Sequence, residues 1–398
     1  MLFNDVIGQA EVKLHLAEMV QNNRLSHALL FLGKEGSGAL PMALAFAQFL
    51  VCEKVNKKVP EASPLFGDTL NEQVTQIYTD SCGTCSACMK ARAQVHPDIH
   101  FSFPVITKKS GEKPLSAQFI TEWREFLKQL PYGNAYDWLQ FIGAENKQGN
   151  ISAEECNDII RQMSLKSFES SYKILLMWMP EYLGKEGNKL LKLIEEPPPD
   201  TLFILVAESE EQILPTILSR TQLVKIPLLS NSEIEEALVN RNNTNAAQAR
   251  QVASIAEGNY HEALHLLQHS EEDWQGLLRE WLNATIKAGP AAQVKWVGTM
   301  AELGREKQKQ FLRYFNHLLE QSIRIRVMGL DKIPLAENEK DFAQRLNKIA
   351  GVSQQQAIIE ELDKACYYIE RNANARMLFH ALTIKLLHII QDKVLLST

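Results

Sequence analysis

One stretch constrains the fold more than any other. Ala28-Leu29-Leu30-Phe31-Leu32 is an apolar run that stops at a glycine turn, Gly33-Lys34-Glu35-Gly36-Ser37-Gly38, and Ala39 to Val51 follows, rich in Ala, Leu and Phe. A short apolar run bounded by glycine reads as a buried strand, and the segment after the turn reads as a helix. Strand, glycine turn and helix form the layout of a phosphate-binding loop, whose backbone N–H groups and helix N-terminus cradle an anion. A plain glycine-rich turn between strand and helix would carry the same residues, so the loop has to be judged position by position.

The working loop is G-x-x-x-x-G-K-[ST]. Counting from Gly33 places its second glycine at Gly38, its lysine position at Ala39 and its Ser/Thr position at Leu40, with Gly36 between. Ala39 cannot reach β- and γ-phosphates, and Leu40 cannot hold Mg²⁺. Pro41 falls in the first helical turn, where a missing N–H is tolerated. Tyr172 to Met179 reads as a second buried strand, which in an ATPase should end in an acidic pair for Mg²⁺ and water. Here it ends in Trp178-Met179-Pro180-Glu181. Leu202 to Ala207 is a third strand, leading into Leu214-Pro215-Thr216-Ile217-Leu218-Ser219-Arg220. Strands alternating with helices indicate a parallel sheet covered on both faces. The loop therefore reads either as a nucleotide-binding scaffold at Gly33, Gly36 and Gly38 that has lost hydrolysis or as a plain glycine-rich turn between strand and helix.

The six cysteines are unevenly placed. Cys82, Cys85 and Cys88 form a C-x2-C-x2-C cluster, while Cys52, Cys156 and Cys366 are scattered. In a reducing compartment this spacing reads as metal binding rather than a disulfide framework. A structural zinc site needs four ligands, so one more must come from Cys52, His96, His100 or Cys156. An iron–sulfur run would place a further cysteine just after Cys88, but Met89, Lys90, Ala91 and Arg92 stand there. Cys52 lies at the end of the glycine-loop helix, where a long loop can return to it. The expected set is Cys52, Cys82, Cys85 and Cys88, as a structural site.

From Asn231 onward the chain reads as helical. Ala246 to Ile255, His261 to Gln268, Trp274 to Ile286, Gln308 to Val327 and Gln354 to Lys393 carry apolar residues at three- and four-residue spacing. Residues 301–326 hold six Lys/Arg against three Glu, which reads as a solvated helix face ahead of a phosphate-binding one. Two stretches lengthen the front half. Glu53 to Ser81 reads as a long polar loop. His100 to Asn150 holds Trp123, Tyr132, Tyr136 and Trp138 and a helix from Ala117 to Leu130; core packing or a partner surface is expected of these aromatics ahead of base stacking. At 398 residues the chain has room for two to three domains. Its formal charge of −6 excludes a protein coated in positive charge, so nucleic-acid contact would have to be local or through partners. The longest apolar runs fall far short of the roughly 18 residues of a membrane span. Met1 to Ala10 carries Asp5 and no Lys or Arg, unlike a signal peptide. A cytoplasmic location and no membrane partner are expected.

Several motifs together resemble the bacterial clamp-loader AAA+ family. Phe3-Asn4-Asp5-Val6-Ile7-Gly8-Gln9 is similar to its opening, and Arg24 to Phe31 to the strand before its P-loop. Cys82-Gly83-Thr84-Cys85-Ser86-Ala87-Cys88 with His96-Pro97-Asp98 resembles its zinc module. Asn188 to Pro198 is similar to the helix after its second catalytic strand. Ile217-Leu218-Ser219-Arg220-Thr221 resembles its serine–arginine–cysteine motif, with Thr221 in place of cysteine. Gly258-Asn259-Tyr260-His261-Glu262-Ala263-Leu264 resembles its lid motif, with His261 where ATP-binding members carry arginine, and Glu370-Arg371-Asn372-Ala373-Asn374 resembles its last collar helix.

The resemblance implies an α/β domain followed by all-α domains. These would be an AAA+ P-loop-type parallel-sheet domain with a zinc module over 1–227, a helical lid over 228–272 and a helical collar over 273–398. It implies a non-hydrolysing subunit of the DNA polymerase III clamp loader, with gamma/tau ATPase subunits and the delta subunit as partners. Sliding clamp and primed DNA would be reached through the complex. Arg220, beside Ser219, would be an arginine finger supplied in trans to a neighbour's ATP site, zinc the structural cofactor, and ATP bound here, if at all, without hydrolysis. The rivals are an active AAA+ ATPase with an atypical P-loop and a free-standing zinc-containing DNA-binding module.

Overall fold

The apolar runs of the front half assemble into one five-stranded sheet. The computed structural model describes residues 1–56, 78–108, 113–144, 149–268, 273–329, 337–370 and 373–392. Strands β1 (Ala28–Leu32), β2 (Ile99–Ser102), β3 (Lys173–Trp178), β4 (Thr201–Ala207) and β5 (Gln222–Lys225) lie in the order β2-β3-β4-β1-β5, and every pairing is parallel. Ala28 pairs with Phe203 and Leu32 with Ala207, which brings the glycine loop beside the end of β4.

Period-two alternation divides the strands' side chains between two cores. Leu29, Phe31, Ile174, Leu176, Trp178, Ile204 and Val206 point to the face covered by the helix Ala39–Val51 and by the aromatic helices Ile120–Gln129 and Ala135–Phe141. Leu30, Leu175, Met177, Phe203 and Leu205 point to the other face, under Cys156, Ile159 and Met163 of the helix Ala153–Met163. All thirteen residues of Ala39–Val51 are buried, so this helix is packed on every side. Its one long polar side chain, Gln48, is satisfied by donating to Ser81 Oγ at 2.9 Å.

The chain divides into two compact units, Met1–Leu264 and His265–Thr398. Within the first, the helices Asn231–Asn242 and Ala246–Ala256 follow the sheet, with Ser230 and Asn245 as their N-caps. The second unit is helical, with helices Trp274–Asn283, Pro290–Glu302, Arg305–Met328, Glu337–Ile349, Val352–Glu370 and Ala375–Leu387. Its core is an aromatic stack in which Trp281 and Trp296 lie parallel at 4.6 Å, flanked by Phe311 and Phe379. Trp281 Nε1 donates to Thr383 Oγ1 at 2.9 Å.

Two expectations need correction. The stretch Gln354 to Lys393 is two helices, because Asn374 takes an extended backbone and its side chain accepts from Met377 N to start the second. Residues 393–398 lie outside the described residues, as does most of the polar loop over Glu53 to Ser81. The region Ala117 to Leu130 opens as a 3-10 turn, Ser116–Phe119, before the α-helix Ile120–Gln129.

Trp281→Ala should cost the helical unit about 3–5 kcal/mol, the range for removing a large buried aromatic. Urea unfolding followed by tryptophan fluorescence checks it, with Trp281→Phe expected to lose less.

Candidate functional site

Each catalytic position of the loop is filled by an apolar side chain that the fold uses for packing. Ala39 and Leu40 are buried in the first turn of the central helix. At the end of β3, Trp178 is 3 % exposed. It sits 5.2 Å from Trp123 and 6.0 Å from Phe126, ring centre to ring centre. Trp123 in turn stacks on Phe103 at 4.2 Å and meets Trp138 edge-on at 5.2 Å. Trp123, Phe126 and Trp138 of the insertion are therefore core residues that plug the end of the sheet, and Trp123 and Trp138 have no exposed ring for a base to stack on. Glu181, just beyond β3, turns its carboxylate to backbone, accepting from Glu208 N at 2.6 Å and Ser209 N at 3.0 Å. Burial pushes its pKa up.

The glycine loop is itself covered. Gly36 and Gly38 take left-handed φ of 71° and 91°, a conformation that costs glycine little. A Cβ at Gly36 would lie 1.9 Å from Asn259 Oδ1, and one at Gly38 would lie 3.1 Å from the Tyr132 ring. Tyr260 N donates to Gly36 O at 3.3 Å, and Gln9 Nε2 donates to Ser37 O at 3.1 Å. The remaining pocket, bordered by Gly33, Leu40, Tyr132 and Met179, has a cavity volume of about 30 Å³. That is room for a few waters.

Next to the loop is a three-member charge bridge. His261 Nδ1 lies 2.9 Å from Glu35 Oε1, and Nε2 lies 2.5 Å from Asp137 Oδ2. Asn259 Nδ2 adds a bond to Glu35 Oε1 at 3.3 Å. Burial alone would lower the ring's pKa, but the hydrogen bonds and charges of Asp137 and Glu35 outweigh it and hold it up at about 10.

The structure brings Cys52, Cys82, Cys85 and Cys88 together, with all four sulfurs within 4.8 Å of one another. Cys82 Sγ and Cys88 Sγ are 3.9 Å apart, and four thiolates around one tetrahedral zinc at 2.3 Å stand about 3.8 Å apart. Backbone N–H groups aim at the sulfurs: Cys82 N at Cys52, Cys85 N at Cys82 and Cys88 N at Cys85, at 3.3–3.4 Å. The bond from the Cys88 side chain, with the Cys82 N–H, holds the Cys52 thiol below its ordinary range. Four clustered sulfurs, three of them facing backbone N–H donors, fit a structural metal. The alternatives lie elsewhere: Cys156 Sγ faces Glu186 O at 3.6 Å, and His96 faces Glu169 at 3.2 Å. His100, on β2, is pressed toward neutrality by burial.

Ser219 and Arg220 follow the short helix Pro215–Leu218. The guanidinium holds Glu195 Oε2 through Nε at 3.1 Å and Nη2 at 3.0 Å, and donates to Thr216 O at 3.0 Å. Ser219 Oγ accepts from Arg220 Nη1 at 3.3 Å.

Residues 8–230 match the family described as DNA polymerase III, delta subunit. The chain belongs to that family. The delta' subunit of Bacillus subtilis is 25 % identical over 264 residues, covering 66 % of this chain and 60 % of the relative. The gamma subunit of Buchnera aphidicola is 22 % identical over 274 residues, covering 67 % and 58 %. The tau subunit of B. subtilis is 24 % identical over 330 residues, covering 80 % and 46 %. The aligned part thus spans 46–60 % of the length of these relatives. A parallel sheet followed in the chain by helices is the order expected from the sequence, an α/β part and then an all-α part. Among the described residues no helix is long and apolar enough to cross a membrane.

Sequence reasoning missed Glu35, Asp137 and Asn259 as partners of the loop. A capping signal was present at Asn134, whose side chain accepts from Asp137 N, but nothing local announced that Asp137 would meet His261.

Trp178→Ala should destabilise the sheet unit by about 3–5 kcal/mol. Trp178→Asp should be worse, because it buries a carboxylate among aromatic rings without a partner. Chemical denaturation of the two variants orders them.

Proposed function

We propose that the chain is a non-hydrolysing, cytoplasmic scaffold subunit of the DNA polymerase III clamp loader. It would sit beside gamma/tau ATPase subunits and the delta subunit and help load the sliding clamp onto primed DNA. The observation that carries this reading is the contrast between its two halves of an ATP site. Its own half is filled by Ala39, Leu40 and the Trp178 aromatic plug, whereas Arg220 remains near the surface, with 31 % of its side chain exposed. A P-loop ATPase can receive an arginine in trans, where the guanidinium stabilises charge spread over the γ-phosphoryl group. A subunit can therefore lose its own site and still serve the next one.

The Arg220–Glu195 pair is compatible with that role. Glu195 is 57 % exposed, and exposed ion pairs contribute about 0–1 kcal/mol. Exchanging this carboxylate for a neighbour's phosphate would therefore meet little resistance. In this reading Ser219 orients the guanidinium, and residues 1–227, 228–272 and 273–398 serve as AAA+ domain, lid and ring-closing collar.

Zinc, held by Cys52, Cys82, Cys85 and Cys88, would be structural. It would cross-link the end of the central helix to the start of the helix Ser86–Arg92. Protein purified without chelator should hold about one zinc per chain, and Cys52→Ser should lose metal and melt lower; elemental analysis and thermal melting read the two.

In the reconstituted complex, Arg220→Ala should assemble and melt like wild type but lower DNA-stimulated ATPase and clamp loading. In simple GTPases such a finger is worth on the order of 10³-fold or more. The loss in a ring is diluted by arginines at other interfaces. Arg220→Lys should rescue only in part, because an ammonium lacks the planar fork. Normal ATPase with a lowered melting temperature would make the Glu195 pair purely structural and remove the finger from the account.

A further inference from the structure

We propose that His261 is a built-in latch: as an imidazolium bridging Glu35 and Asp137, it holds the first turn of the helix Tyr260–Gln268 on the glycine loop with no bound nucleotide. The geometry is closed on every side. Glu35 belongs to the loop, Asp137 to the insertion helix Ala135–Phe141, and His261 to the helix that follows the Gly258 turn. The His261 side chain is 3 % exposed and both ring nitrogens face carboxylate oxygens. A neutral ring has one N–H and can donate to only one of two carboxylates; the imidazolium donates to both. An unprotonated ring here would leave a buried carboxylate against a lone pair, which is costly.

The latch is reinforced by neutral contacts that set its position. Asn259 bonds Glu35 and accepts from Glu262 N at 3.0 Å, so the same side chain starts the helix and touches the loop. Tyr132 packs edge-on against Tyr260 at 4.9 Å, and its hydroxyl accepts from Ile7 N at 2.9 Å. Glycine loops are anion seats because their N–H groups point outward. Here the two carboxylates beside the loop, Glu35 and Asp137, are already paired with His261. The protein's own charges thus do the holding. The proposal does not depend on whether Arg220 acts on a neighbour.

Several other groups face this site. The loop brings Lys34, the insertion brings Tyr132, and the helix itself brings Tyr260, Glu262 and, one turn on, His265. The helix Asn231–Asn242 brings Arg241 and also Asn242, which accepts from Tyr260 at 3.0 Å. Burial raises both phenols, Tyr132 to about 12, so neither gains charge while the latch is closed. His261 is raised from an ordinary 6.5 to about 10. Its contribution to stability is therefore full below pH 6.5, declines above it and is lost as pH passes 10.

The test uses the full chain with ¹⁵N-labelled histidine. At pH 8, where ordinary histidines are neutral, His261 should show two protonated ring nitrogens, assigned by their absence from His261→Gln. Hydrogen exchange at residues 259–263 should be about tenfold or more faster in His261→Gln, which frees a local opening. Glu35→Gln should show the same direction. His261→Arg keeps the cation and should restore most of the protection, which a loss of mere packing would not allow. A neutral His261 at pH 8 would overturn the proposal, as would unchanged exchange in the Gln variants. If His261→Gln does not fold, the wild-type spectrum, assigned through His261→Arg, and the Glu35→Gln exchange still decide it.

Discussion

The burial of one helix is the constraint on which the rest depends. Ala39–Val51 has no exposed face, so its packing on the sheet sets the positions of both of its ends. The N-terminal end carries the glycine loop, and the C-terminal end delivers Cys52 to the sulfur cluster. A helix apolar on all sides cannot tolerate a lysine or a hydrated Mg²⁺ ligand in its first turn without desolvating it. Ala39 and Leu40 are thus part of the same choice that buried the helix. A catalytic P-loop keeps that turn polar and open; this one has been turned into core.

The insertion completes the change. By placing Trp123, Phe126 and Trp138 against Trp178, it converts the end of β3 from a place for acids into an aromatic layer. Tyr132, from the same insertion, closes on Gly38 and on Tyr260. What looks in the sequence like an added segment is in the structure the filling of a site. Around Ser219 and Arg220 the surface stays polar and partly exposed.

Much of this was legible in advance, for identifiable reasons. Strand β1, the central helix and β4 are continuous apolar runs, and they fall where those runs place them. Strand β5 was missed because it lies at a sheet edge with Gln222, Leu223 and Lys225 exposed, so Val224 alone signals burial. Strand β2, Ile-His-Phe-Ser, is the opposite edge and equally short. Three of the four clustered cysteines were visible as a spacing; Cys52 required the returning chain. The charge bridge was not legible, since Glu35, Asp137 and His261 are joined only by tertiary contact across more than a hundred residues. Lone acids and a lone histidine carry no local signal for that.

In the proposed reading, the strand, glycine turn and helix keep the layout of a phosphate-binding loop, and the protein's own side chains fill the place of the nucleotide. Calorimetric titration of Mg-ATP into the purified, zinc-replete chain at neutral pH tests it most directly. The account predicts no saturable heat up to millimolar nucleotide. Stoichiometric binding at micromolar concentration, lost on mutation of Gly38, would contradict it.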